Sequence, residues 1–322
     1  MDASDIELFE RSVRQATERH TGDALDRALL GLGWLDALAD DPYTAVSILF
    51  PLQGGANATL HALDQVVTRA LGLRPTDADA VVLPALGTRS APGELDDDRI
   101  SIRGLGTGAL HVAAEAVAAA TSPDDDAPII VTVPTSELKL RAVIGIDPDC
   151  GLVEVIADGV GCRVCGDAGG HSWEAAVVLS QVALSYEILG AARTMLALAR
   201  EHALDRIQYG RPISSFQAVR HRLAETLVAI EAAEALAAAA REAPSPELAS
   251  IAKSLAGRGA QTAARHCQQV LAGIGFTAEH PFHRCYRRIL LLDQLFGSAH
   301  SLTSEFGDQL LRSRRLPALL PL

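Results

Sequence analysis

The 322-residue chain is 48% apolar and 21% charged, so it can bury a sizeable core and is not disordered by composition. Twenty-eight Lys and Arg against 40 Asp and Glu leave a net charge of −12, which argues against nucleic-acid binding as its main business. The acidic segment Met1 to Glu10 is no signal peptide, and five cysteines without an export signal point to reduced thiols in a cytoplasm.

From Asp5 to about Leu73 the pattern is helical. Ile6, Phe9, Val13 and Ala16 recur at spacings of three and four, with Ser4 or Asp5 placed to cap. Pro42 and the Gly54-Gly55 pair mark breaks between further helices. From about Arg74 to Gly170, prolines and acidic tripeptides divide short β-rich runs at Arg99–Arg103, Ile129–Val133, Leu138–Ile144 and Leu152–Ile156. From Ser172 onward long helices return. Val178, Val182, Leu189 and Leu196 share a face of the first. Pro212 suits the first turn of a second helix that runs to about Arg241. A third covers about Glu247 to Ala272 and a last Ala299 to Arg314. The expected fold is mostly α with a small central β module: a helical unit over 1–73, a β unit over 74–170 and a four-helix bundle over 171–322. The greasiest stretch, Ala224 to Ala243, contains Glu225, Glu231, Glu234 and Arg241, so no membrane span is expected.

Three motifs suggest chemistry and read as structural. Cys162-Arg-Val-Cys165 lacks the second pair that zinc needs and the βα context of a redox motif. Gly104-Leu-Gly-Thr-Gly108 precedes a helix-compatible Ala109–Ala120, but its spacing is not that of a dinucleotide loop, and glycines easing a turn or bulge explain it. His280-Pro-Phe-His283 lacks the i,i+4 spacing of helical metal ligands, so no metal is expected.

Two further runs differ in kind. Arg206-Ile-Gln-Tyr-Gly-Arg-Pro-Ile-Ser-Ser-Phe-Gln217 joins a helix end to the next helix start, and Gly210 and Pro212 make its turn. Arg206 is a fixed positive charge suited to a diphosphate, and Tyr209 is a flat ring able to pack on a cofactor. Gln269-Val-Leu-Ala-Gly-Ile-Gly-Phe276 ends a helix in glycines that let a backbone approach a ligand.

Together these runs resemble the acyl-CoA dehydrogenase family over about Trp173 to Gly307. That family's bundle carries an Arg-x-Gln/Thr-Phe-Gly-x-Pro-Ile-x-x-Phe-Gln turn and a later Gln-x-x-Gly-Gly-x-Gly-Phe-x-x-Glu turn. The resemblance implies that both turns embrace the ADP half of an FAD held mainly by a neighbouring subunit. Arg206, Gln208 and Tyr209 would lie along the pyrophosphate, and Gln217, Gln269 and Gly273 on the adenosine side, with Ser298 and His300 as further cofactor contacts. Tyr209 for Phe and Ala272 for the first paired Gly read as mild changes.

The implied reaction is α,β-dehydrogenation of an acyl thioester, in which a carboxylate removes the α-proton. The family places that Glu where Phe296 stands here, before Gly297 and Ser298, or in some members where Ser180 stands. Neither residue is a suitable base. No Thr-Glu-Pro-x-x-Gly-Ser-like flavin-ring loop is found. The resemblance therefore implies a short partner subunit of a heteromeric acyl-CoA dehydrogenase, like those of actinobacterial steroid side-chain degradation. A full-length chain would bring base, ring loop and acyl-CoA tunnel. The alternatives are a homo-oligomer with a relocated base at Asp293, His300 or Glu305, and a flavin-free scaffold.

Overall fold

A computed structural model describes residues 3–20, 22–58, 61–76, 80–123, 125–165 and 173–314. Five helices come first: α1 (Ala3–Arg19), α2 (Asp23–Gly31), α3 (Trp34–Asp40), α4 (Pro42–Ala56) and α5 (Ala62–Ala70). Phe9, Val13 and Ala16 are buried on one face of α1, as their spacing requires. Asp5 lies inside its first turn. Pro42 opens α4, and Asp41 Oδ1 caps it by accepting from Thr44 N at 3.1 Å.

The Gly54-Gly55 pair is not a break. Both lie within α4, which crosses α6 (Trp173–Asp205) in near backbone contact. A Cβ on Gly54 would sit 1.9 Å from Glu187 O, and one on Gly190 would sit 2.0 Å from Pro51 O. Glycine is required here by the neighbouring helix rather than by a turn.

The middle of the chain forms a seven-stranded sheet of β1 (Gly93–Asp96), β2 (Arg99–Gly106), β3 (Glu115–Ser122), β4 (Asp125–Pro134), β5 (Lys139–Ala142), β6 (Val153–Gly161) and β7 (Arg163–Val164). Their order is β5-β6-β2-β1-β3-β4-β7, with β1 and β3 parallel and every other pair antiparallel. The second half of the alanine run 109–120 is strand, contrary to expectation. Ala116, Ala118, Ala119 and Ala120 are buried in β3, where pairing with β1 and β4 overrides alanine's helix preference. The glycines before it lie in or beside β2. A Cβ on Gly104 would meet Leu83 O at 2.4 Å, so they serve close packing and not a phosphate loop.

The C-terminal bundle comprises α6, α7 (Gln217–Glu242), α8 (Pro246–Leu271), α9 (Phe282–Gln294) and α10 (Ala299–Ser313). The expectation missed α9, and α7 starts five residues beyond Pro212. Residues Ile207–Gln208 (β8) and Arg211–Pro212 (β9) form a two-stranded hairpin instead. Among the described residues, the helix long and apolar enough to cross a membrane is α6 rather than the Ala224–Ala243 stretch, and its apolar window is 83% buried within the protein.

Candidate functional site

Phe296 sits in the linker between α9 and α10 at φ 54° and is 1% exposed. Its ring centroid lies 6.1 Å from that of Trp173 on α6, and its carbonyl accepts from Gln181 Nε2 at 3.0 Å. Ser180 is fully buried, and its Oγ has no hydrogen-bond partner among the described residues.

Beneath the linker, Lys253 of α8 is wholly buried. Its Nζ donates to Asp293 O at 3.0 Å and to Gly297 O at 3.1 Å. Burial pushes its pKa down to about 8, opposed by the Asp293 carboxylate. Asp293 Oδ1 in turn accepts from Ala299 N at 3.0 Å, tying the linker to the start of α10. Gly257 makes room for that carboxylate, since a Cβ there would lie 2.2 Å from Asp293 Oδ1.

The other proposed bases are placed differently. Glu305 pairs with Arg89 at 2.7 Å, and His300 is exposed on α10. Ser298 is engaged in a reciprocal cap: its Oγ accepts from Ser301 N at 3.1 Å, while Ser301 Oγ accepts from Ser298 N at 3.0 Å.

Leu295 of this linker helps line a small cavity of about 50 Å³, with Gln53, His61, Thr107, Cys150, Glu187 and Arg288 among its other walls. Glu187 is fully buried. Burial raises its pKa, opposed by Arg288 and a hydrogen bond with Gln53. Arg288 approaches Glu187 Oε1 at 3.8 Å and Asp147 Oδ2 at 3.9 Å, and donates to Ala58 O. This ionic cluster escaped the sequence reading. Its only trace was charge at buried helical positions, visible once α9 is recognised and its burial known.

The α6–α7 hairpin is the opposite case. Tyr209, at φ 54°, is 92% exposed and Ile207 is 60% exposed. Tyr209 meets Phe216 edge-on at 6.2 Å, and the Arg211 guanidinium lies 4.4 Å from the Phe216 ring centroid. Residues 202–222 hold four Arg against one Asp in a chain of net charge −12. Arg206 is exposed and makes no ion pair among the described residues. Gln208 and Gln217 are exposed, though Gln208 Nε2 donates to Ile207 O at 2.9 Å.

At the end of α8, Gln269 is exposed and Gly273 has nothing within 4 Å of where a Cβ would project. Gln268 Nε2 is buried there without a hydrogen-bond partner among the described residues. An uncompensated Arg, an open glycine and an unused amide donor fit the anionic ADP half of FAD.

Ala272 is not a mild replacement for glycine. It adopts φ 53° and ψ −133°, a region that disfavours any side chain. The Cys162/Cys165 pair flanks β7, both as free thiols, and His283 Nδ1 lies 2.6 Å from His280 O. No group of three His, Cys, Asp or Glu converges on a metal position among the described residues.

Comparison with known proteins bears on the fold and on the C-terminal bundle. Residues 171–311 match the family described as acyl-CoA dehydrogenase, C-terminal domain. Acyl-CoA dehydrogenase IpdE2 of Mycobacterium tuberculosis is 43% identical over 107 residues, covering 33% of this chain and 34% of the relative. The match thus spans about a third of that relative's length. Among solved structures, a variant of the Tcur3481-Tcur3483 steroid ACAD superposes with TM-score 0.81 at 22% identity, over 97% of this chain and 99% of that one. The ChsE4-ChsE5 complex from Mycobacterium tuberculosis gives 0.79 at 18% identity, over 99% of both chains. At those identities the structures establish the fold.

Proposed function

The chain has the acyl-CoA dehydrogenase fold, with that family's C-terminal domain over residues 171–311, and from this premise we propose that it is the short, base-less subunit of a heteromeric acyl-CoA dehydrogenase. It lends the ADP half of an FAD site to a full-length partner in a cytoplasmic heterotetramer, and the partner brings the catalytic base and the tunnel for acyl-CoA. When bound, FAD supplies the hydride acceptor for α,β-dehydrogenation of the acyl thioester.

In this reading Arg206 pairs with the diphosphate as a fixed charge, and the Tyr209 ring packs against the nucleotide. Gln208, Gln217 and Gln269 offer amide groups, and Gly273 lets the backbone approach. Ser298 and His300 are the weaker contacts, because the Ser298 hydroxyl already caps α10.

Phe296 carries the argument. A hydrocarbon ring stands at the family's base position, buried against Trp173 and held by a linker that Lys253 braces. It has no lone pair with which to take a proton. The adjoining cavity of about 50 Å³ is also far below the roughly 300 Å³ or more of a small-molecule site.

The test is a visible absorption spectrum and a solution mass. The chain purified alone is expected to be colourless, and to turn yellow when co-expressed with a full-length relative. A yellow homo-oligomer with dehydrogenase activity would overturn the proposal.

A further inference from the structure

We propose that the cleft between α1, α4, α6 and α7 is a binding site for an organic cation, a protonated or quaternary amine carried on an apolar body. Its volume is about 1140 Å³, against about 50 Å³ for the cavity beside Leu295. A small-molecule site needs roughly 300 Å³ or more, which the cleft exceeds. No residue assigned to the hairpin, the glycine turn or the α9–α10 linker lines it, so the inference stands apart from the FAD reading.

The floor is apolar and bare. Ile48, Leu52 and Leu189 supply hydrocarbon, and Gly55 and Gly190 leave the α4–α6 crossing without side chains. Thr194 Oγ1 donates to Gly55 O at 3.2 Å, which satisfies one backbone acceptor there. Pro51 leaves another open. It lies inside α4 and has no N–H to give the Ser47 carbonyl four residues before it, on the face that both residues present to the cleft. That carbonyl turns the negative end of its dipole toward a ligand. Tyr43 and Tyr186 are half-buried walls whose rings attract a cation, and burial raises both phenols, so they stay neutral.

Charge decides the sign of the ligand. Five carboxylates and three guanidiniums line the cleft. The guanidiniums are already answered. Arg14 pairs with Glu10 at 2.9 Å, and Arg193 Nε donates to Glu234 Oε1 at 2.8 Å. Arg241 lies 3.4 Å from Glu242. Asp41 and Glu18 remain as the negative surplus: Asp41 caps Thr44 N at 3.1 Å, and Glu18 is exposed with no ion pair among the described residues. A carboxylate ligand would be repelled by that surplus and would find every guanidinium engaged, whereas a cation meets complementary charge. The net charge of −12 adds a long-range attraction of the same sign.

Berberine, a planar quaternary ammonium whose fluorescence rises in apolar surroundings, is the probe, and anilinonaphthalene sulfonate is its anionic counterpart. The full chain, alone or with a co-purified partner, is titrated with each at about 50 mM salt, where surface charge is only partly screened. Berberine should saturate at one site per chain and bind at least about tenfold more tightly than the anionic dye. Ala238→Phe places a ring on the half-buried α7 wall and should weaken berberine about tenfold. Glu18→Arg alters an exposed position and should weaken it about fivefold; it carries the test if the first variant does not fold. Equal or tighter binding of the anionic dye, no saturable berberine binding, or unchanged berberine affinity in Glu18→Arg overturns the proposal. None of these outcomes touches the FAD reading, which the absorption spectrum tests separately.

Discussion

At the α9–α10 linker Phe296 is 1% exposed and rests on Trp173, whereas at the α6–α7 hairpin Tyr209 is 92% exposed beside an unpaired Arg206. Both regions sit on one bundle, and the family resemblance assigns both to a single type of flavin site. The linker faces inward, where its charged neighbours are answered from the same chain: Lys253 by two carbonyls, Asp293 by Ala299 N. The hairpin faces outward and offers charge and aromatic surface that this chain does not use. The first region is closed off within the chain and the second is open to solvent.

The largest expected effect breaks the scaffold common to both regions. Gly190→Val drives a side chain into Pro51 O and forces α4 away from α6, so soluble folded protein should be lost; a circular dichroism melt like the wild type's would contradict the crossing.

On the closed side, Lys253→Met should destabilise the chain by about 2–3 kcal/mol in urea titration, by leaving the Asp293 and Gly297 carbonyls without a donor. The same lysine gives stability a pH dependence. Its folded pKa, about 8, lies below the ordinary 10.5, so the unfolded chain binds more protons between those values and stability rises with pH across them. The burial penalty, on the order of 3 kcal/mol, is fully present below about pH 8 and relieved toward pH 10.5. Lys253→Met should remove that component of the slope, as wild-type and variant unfolding curves at the two ends of the range would reveal.

On the open side, Arg206→Ala should cost FAD binding about 2 kcal/mol, roughly thirtyfold in affinity, with little change in melting temperature. Flavin retained at full occupancy in the purified complex would count against the ADP-half assignment. Phe296→Glu sharpens the comparison from the closed side: alone it should give no turnover with an artificial electron acceptor, because the adjoining pocket stays filled. The smallest effect is a gain. Ala272→Gly relieves a side chain at φ 53° and should stabilise the chain by about 1 kcal/mol, measurable by thermal denaturation.

The order of helices, strands and helices was legible in the sequence because apolar periodicity and proline spacing are local signals. The turn after α6 and the glycine turn after α8 were legible as connections because their turn residues are local signals, but the β8–β9 pairing was not. The strand β3 was not, since nothing in an alanine-rich run reveals that it lies between β1 and β4. Gly54 and Gly190 were equally silent, since each is required by a backbone that arrives from far along the chain.

By itself, the sequence determined that this is an acidic, mostly helical chain with a basic turn between two of its long helices. Only the tertiary structure decided that Phe296 is sealed against Trp173, that Lys253 is buried near it, and that Glu187 and Arg288 line a cavity too small for a substrate. The physical reason is that burial and charge proximity depend on which distant segments share a dielectric environment, and residue spacing along the chain does not specify that.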